Sequence, residues 1–464
     1  VAAKEALFTV MHYFRIFGGL AASLAAAGLA TAGGLSASMV ATIAVTVLCA
    51  AWWMTEAIPI PATSIIPFAA FPLLGVLDHR QAAAALGDHV IILLMGAFMM
   101  SKGLEKSGAH ERLALMMIRL VGASGRRLVF GFMLAGAAIS MFVANTATAL
   151  MLMPIALAIL ARTEDRSLDA PLILGVAYAA SIGGLGTLIG TPPNVIFAGA
   201  FERATGEEFG FLRWMAIGAP VAILATLVAA VWLTRGLAFA SRVEIPSRGG
   251  WTPGEARTLG VFAIAVLLWV TRSEPFGGWS TLTGASGAGD STVAILAVAL
   301  MFLIPDRQGG ALLDWRTAAD IPWGMLLLFA GGICIANAFE ASGLSALIGS
   351  ALGGAASLHP FILMLTIALV ITYMSELTSN TAVASLAMPV MAATAAGSGL
   401  APELLMVPTA MAASSGFMLP VSTAPNAIAY GTGRVPIGRM AREGAPLNLF
   451  LALIIATTCY IAFA

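Results

Sequence analysis

The sequence predicts an all-α polytopic membrane protein of about eleven spans plus two re-entrant helical hairpins, laid out as two inverted repeats. Three observations predict it. The 464 residues are 59% apolar and only 10% charged, whereas soluble domains carry about a quarter charged residues. A set of polar and small residues recurs at a constant separation of 235 positions. Basic residues crowd one connecting segment of the first copy and are missing from the matching segment of the second.

A soluble core cannot absorb so much apolar sequence, and crossing a hydrocarbon layer of about 30 Å takes about 20 helical residues. The start of the chain, from Val1 to Arg15, lacks a signal-peptide cleavage pattern and reads as a short amphipathic entry to a first span at 16–32. Further spans follow at 39–58, 62–77, 90–108, 171–201, 211–236, 256–271, 290–305, 321–343, 403–431 and 444–464, set by polar breaks and Pro/Gly punctuation. Two more apolar segments, 128–161 and 360–396, each carry Asn-Thr in the middle and read as hairpins that enter and leave on one side. Backbone that turns inside a membrane must be buried in protein or line an aqueous cavity. The hairpin tips are therefore expected to meet something polar. By organisation, 1–38 is an N-terminal helix with the first span, 39–236 is the first repeat unit, 237–255 is a cytoplasmic linker and 256–464 is the second unit.

The repeat rests on particular residues. Gly96, Glu105, Ser107, Gly108, Ser140, Asn145, Thr146, Ala147 and Pro154 recur as Gly331, Glu340, Ser342, Gly343, Ser375, Asn380, Thr381, Ala382 and Pro389. After a three-residue deletion, Thr191, Pro193 and Asn194 recur as Thr423, Pro425 and Asn426. Five spans per unit, an odd number, makes the copies inverted. Charge placement gives the same orientation through the positive-inside rule. Lys102, Lys106, Arg112, Arg119, Arg126 and Arg127 lie in the first copy, and no basic residue occurs between Arg316 and Arg434. That places the first hairpin on the cytoplasmic side of the cell membrane and the second outside, with the N-terminus inside and the C-terminus outside.

Each copy supplies two breaks. The tips read Val143-Ala144-Asn145-Thr146-Ala147-Thr148 and Thr378-Ser379-Asn380-Thr381-Ala382; the interrupted spans read Gly190-Thr191-Pro192-Pro193-Asn194 and Ser422-Thr423-Ala424-Pro425-Asn426. Proline deletes a backbone donor and clashes with the preceding turn, so both spans should break near mid-membrane. Half-helices of this kind aim positive N-termini at an anion, while freed carbonyls and Asn or Ser oxygens ligate a hard cation. Either motif alone could merely kink or glue helices. All four recur in matching order.

These four motifs resemble those of the divalent anion/sodium symporter family, which carries succinate, malate, fumarate and related anions. The likeness covers essentially the whole chain. It implies a dimeric elevator, with a scaffold domain and a moving transport domain that holds substrate between two sodium ions; two or more sodium ions are expected to travel with the substrate. Carried over residue by residue, the first sodium site falls on Ser140, Asn145 and the carbonyl of Gly190, and the second on Ser375, Asn380 and the carbonyl of Ser422. Substrate carboxylates fall on Asn145, Thr146, Asn380 and Thr381, with Thr191, Pro192 and Thr423 closing the pocket. The family's tips read Ser-Asn-Thr, and here Ala144 stands where the first serine would be.

Other polar residues have two readings. Glu376, four positions before Asn380 and matched by Met141 in the first copy, is either a carboxylate that tunes a cation site or takes up a proton, or a glutamate in hydrated surroundings near the outer mouth. Glu105 and Glu340 anchor span ends, with Lys102 one turn from Glu105. Cys49, Cys334 and Cys459 read as packing residues, and the five histidines, which show no ligand spacing, as interfacial. Net charge is zero, so nothing points to nucleic acid. An intramembrane enzyme would need a nucleophile and base, and no His or Asp lies near the tips. A passive channel does not need two inverted broken-helix sites. Within transport, a dicarboxylate exchanger or a carrier of sulfate or other anions stays open beside the symporter.

Overall fold

The computed structural model describes residues 2–122, 125–162, 166–237, 249–273, 277–351 and 358–464. The first part of the chain forms α1 (Ala2–Ala32), α2 (Ala37–Thr55), α3 (Ile60–Ser64), α4 (Ile66–Leu73), α5 (His79–Ala84), α6 (His89–Ser107) and α7 (Ala109–Val121). The first hairpin is α8 (Gly125–Ser140) with α9 (Asn145–Leu160), and the first interrupted span is α10 (Asp169–Gly183) with α11 (Pro192–Thr205), followed by α12 (Phe211–Leu233). After them come α13 (Pro253–Val270), α14 (Gly278–Leu282), α15 (Asp290–Leu303), α16 (Trp315–Ala319), α17 (Trp323–Ser342) and α18 (Leu344–Ala351). The second hairpin is α19 (Pro360–Leu377) with α20 (Asn380–Ser398), the second interrupted span α21 (Glu403–Ala413) with α22 (Ala424–Gly431), and α23 (Ile437–Phe463) ends the chain.

The chain is thus an all-helical, multi-pass membrane protein. Ten helices among the described residues are long and apolar enough to cross a bilayer, and four further apolar helical segments are shorter. Both arms of the second hairpin belong to the ten; the arm α9 of the first is one of the shorter segments.

Several boundaries differ from expectation for local reasons. The amphipathic entry and first span are one continuous helix, α1, because no proline or glycine cap interrupts residues 2–32 before Gly33. The span expected at 62–77 splits into α3 and α4 at Ile65, with Pro67 in the first turn of α4 and Pro72 within it. The last helix begins at Ile437, after Pro436, and not at 444. Of the linker expected at 237–255, residues 238–248 lie outside the described residues, and α13 starts at Pro253 with a Thr252/Glu255 capping box.

The two copies end equivalent helices by the same device. α6 stops at Gly108 (φ 72°) and α17 at Gly343 (φ 80°), left-handed positions that favour glycine, and a new helix starts one residue later in each case. The second of each pair, α7 and α18, then lies on a hairpin, α7 against α8 and α18 against α20. α7 has a charged edge whose Arg112 reaches back to α13: Nε is 3.0 Å from Glu255 Oε1, and the guanidinium also donates to the carbonyls of Gly249 and Gly250.

Contacts sort the helices into two groups. In one, α1 packs on α2, α6 on α15, α13 on α15 and α17 on α2, α3 and α4. In the other the pairing is reciprocal between copies. α8 and α9 pack on α10 and α10 on α22; α19 and α20 pack on α21 and α21 on α11. α12 then closes over α8 and α10 as α23 closes over α19 and α21. The core is most complete here: every residue of α10 is buried. The groups touch where α11 and α20 meet α6 and α17, where Phe142 sets its edge on Phe262 (centroids 5.6 Å), and at the Arg203–Asp88 ion pair (3.3 Å).

Candidate functional site

Each of the four motifs begins a helix. Asn145 is the first residue of α9, Asn380 of α20, Pro192 of α11 and Ala424 of α22. Proline at the first or second helical position costs nothing, since that N–H has no intrahelical acceptor. Four helix N-termini therefore belong to the predicted motifs, each carrying about half a positive charge. The packing of α9 on α22 and of α11 on α20 gathers them within one helix group, and Thr191 Oγ1 lies 3.3 Å from Ser414 Oγ, where the two breaks meet.

In the first copy, Ser140 Oγ lies 2.7 Å from Asn145 Oδ1 and 2.6 Å from the carbonyl of Ala180. One hydroxyl proton serves only one of these acceptors, so three oxygens crowd with one hydrogen between them. Gly190 belongs to the same cluster. A Cβ added at Gly184 would stand 2.8 Å from Asn145 Oδ1 and 3.1 Å from the Gly190 carbonyl, which puts those oxygens on one side of Gly184. An all-oxygen set of amide, hydroxyl and carbonyl groups suits a small hard cation.

The second copy differs in detail. Asn380 Oδ1 is buried with no hydrogen-bond partner, and so is Ser422 Oγ. A buried orphan oxygen costs about 1–3 kcal/mol, which a bound ligand offsets. Ser375 is buried but its hydroxyl turns back to donate to the Thr372 carbonyl at 3.0 Å. Thr423 caps α22 by accepting from the Asn426 N–H (3.2 Å), and Pro192 is half-buried in the first turn of α11. Of the residues expected to meet carboxylates, Asn145 and Asn380 are half-buried, Thr146 is exposed and Thr381 is buried. The N-cap residues Ala144 and Ser379 are matched in position, and Ser379 makes no cap bond with its side chain, which leaves its hydroxyl free of that duty.

The breaks themselves are held by residues of the motifs that had no expected role. Asn194 Nδ2 donates to the carbonyls of Gly184 (2.9 Å) and Thr187 (2.8 Å), and Asn426 Nδ2 to those of Gly416 and Leu419, both at 3.1 Å. Each asparagine thereby satisfies carbonyls that proline and the break set free. Gly218 of α12 presses on the Leu185 carbonyl as Gly444 of α23 presses on that of Phe417. Gly184 and Gly416 stand at the same separation as Thr191 and Thr423, a signal that was present in the sequence.

Glu376 does not sit in a hydrated mouth: it is buried, and its carboxylate accepts from four donors. His110 is likewise buried, with Nδ1 3.0 Å from the Leu104 carbonyl, and not interfacial. Lys102 does pair with Glu105 (3.2 Å) and also with Asp320 (3.2 Å). The three cysteines are buried and free. No cluster of three His, Cys, Asp or Glu occurs among the described residues.

Comparison with known proteins places this arrangement. The sequence model of a family described as citrate transporter matches residues 50–407. The sodium-dependent dicarboxylate transporter SdcS of Staphylococcus saprophyticus is 37% identical over 453 residues, covering 92% of this chain and 86% of that protein. SdcS of Staphylococcus aureus is 36% identical over 445 residues, covering 90% and 85%. Among solved structures, the YdaH transporter of Alcanivorax borkumensis aligns with a TM-score of 0.58 at 20% identity, covering 86% of this chain and 87% of its own. MtrF of Neisseria gonorrhoeae aligns at 0.56 with 15% identity, covering 87% and 83%. These two likenesses concern the fold alone.

Proposed function

The chain belongs to the divalent anion/sodium symporter family, and from that premise we propose that it carries C4-dicarboxylates such as succinate, malate and fumarate across the cell membrane together with sodium. The observation that carries this reading is the gathering of four helix N-termini beside buried oxygens that lack protons or partners, with no basic residue in either tip or either break. A doubly charged anion then relies on helix termini, Asn and Thr donors and bound cations. Two negative charges moving through a low-dielectric region need at least two cations as company. Sodium is thus cargo: one ion at Ser140, Asn145 and Gly190, one at Ser375, Asn380 and Ser422. The substrate sits between them against Asn145, Thr146, Asn380 and Thr381, with Thr191, Pro192 and Thr423 lining the pocket.

In this reading α8–α12 and α19–α23 form the transport domain of an elevator, and α1–α6 with α13–α17 form the scaffold, each chain working within a homodimer. The partition of contacts and the linking positions of α7 and α18 support it. The copies are inverted, with the N-terminus and α7 inside and the C-terminus outside. Cysteines placed at Arg126 and Leu358, in a background without Cys49, Cys334 and Cys459, are expected to label from opposite faces. Labelling from one face would remove the inversion.

The deciding experiment is uptake of labelled succinate into proteoliposomes. A requirement for an inward sodium gradient, without internal dicarboxylate, is the expected result. Uptake that ignores sodium and needs internal dicarboxylate would make the protein an exchanger. A further expectation concerns the first tip. Serine would restore at position 144 the hydroxyl that the second tip carries as Ser379, immediately before a proposed sodium ligand, Asn145. Ala144→Ser is therefore expected to keep transport working and to lower the sodium concentration for half-maximal uptake. An unchanged sodium dependence would separate position 144 from the first sodium site.

A further inference from the structure

Glu376 is buried in the middle of the site-bearing helix group and is not among the ligands assigned above. It follows Ser375 directly on α19 and lies four residues before Asn380, across the extended tip that joins α19 to α20. Its Oε1 accepts from the backbone amides of Phe417 (2.6 Å) and Met418 (2.8 Å) and from Asn448 Nδ2 (2.7 Å), and its Oε2 accepts from the amide of Leu419 (3.0 Å). Three successive amides turned toward one carboxylate make an anion-holding nest. That nest is the break of the second interrupted span. Its flanking carbonyls, Gly416 and Leu419, are the ones Asn426 caps, and Ser422 lies against Gly416. The same turn is fixed from two other sides: Asn448 Oδ1 accepts from the Phe417 amide (3.2 Å), and Tyr178 Oη donates to the Phe417 carbonyl (2.8 Å).

At the matching position the first copy has a methionine. Met141 covers Gly186 with its side chain, and Thr187 donates its hydroxyl to the Met141 carbonyl. One break is held by neutral contacts, the other by a carboxylate.

We propose that Glu376 is the positioning residue of the second sodium site, fixing the break that carries Ser422 at a set distance from the hairpin that carries Ser375 and Asn380. The inference rests on the transport reading. Without the carboxylate the three amides of the turn lose their common acceptor, the turn relaxes and the two halves of the site separate. Glutamine keeps the shape and one oxygen, but its amide nitrogen faces a backbone donor, so at least one bond to the turn is lost.

The test uses the full chain in proteoliposomes, with initial succinate uptake measured as a function of sodium. Glu376→Gln is expected to raise the half-saturating sodium concentration by about tenfold, the scale of one lost charge-assisted hydrogen bond, while the maximal rate at saturating sodium stays within about threefold of wild type. A merely structural residue would lower the maximal rate and leave the sodium dependence where it was, and that result overturns the proposal. Should Glu376→Gln yield no folded protein, Asn448→Ala decides: about a threefold rise in half-saturating sodium supports the proposal and no shift overturns it. Wild-type uptake indifferent to sodium would remove the sodium-symport reading and this inference with it, whereas a sodium-dependent wild type with unshifted variants removes the inference alone.

Discussion

Asn380→Ala is expected to reduce sodium-stimulated succinate uptake to the level of protein-free liposomes. Asn380 opens α20, and its Oδ1 is buried with no partner. Alanine is tolerated at that helical position, so the loss falls on the oxygen and not on the helix. The Ser375 hydroxyl is turned to Thr372 and does not take its place. Asn145→Ala should be milder, because Ser140 Oγ and the Ala180 carbonyl remain beside the position of the lost amide. Retained sodium stimulation in Asn380→Ala, with protein present in normal amount, would take Asn380 out of the site.

The second large effect is expected from Gly190→Ala. A Cβ at this position would meet the Gly184 carbonyl oxygen at 2.5 Å and Gly184 Cα at 2.9 Å. Both are backbone atoms in the opposite limb of the break, so no side chain can swing away. Overpacking of this kind typically costs about 1–3 kcal/mol, and it opens the turn that presents the Gly190 carbonyl. Uptake should be lost and the melting temperature of the purified protein should fall by several degrees. Gly260→Ala on α13, where an added Cβ meets nothing within 4 Å, serves as the matched control and should behave as wild type. Equal behaviour of the two variants would show that the close approach at Gly190 has no bearing on function.

Much of this could be read along the chain because membrane helices and their breaks are local events. Apolar runs set where helices lie, and proline and glycine set where they stop. The four motifs begin helices at Asn145, Asn380, Pro192 and Ala424 because Asn-Thr tips and Pro-bearing turns leave the chain no nearer place to restart. The end of α1 was readable in the same way, at the Gly33–Gly34 turn after Ala32. α23 starts at Ile437, just after Pro436, and not at the expected 444, where Gly444 lies inside the helix as a packing contact against the Phe417 carbonyl.

What the sequence by itself determined is the class of the protein, the two copies, and which residues stand at the ends of half-helices, all consequences of periodicity and of residues that forbid or favour a local backbone. The tertiary structure alone decided which partner each polar group meets. In the sequence Glu376 read as a solvated carboxylate near the outer mouth or as a functional one, and the break of another helix, about 40 positions away, turned three amides onto it. Tyr178 gave no sign that it would close on the Phe417 carbonyl of the other copy. The physical reason is that a buried polar group is stable only when paired, and pairing across hundreds of residues depends on how helices cross, which no local pattern encodes.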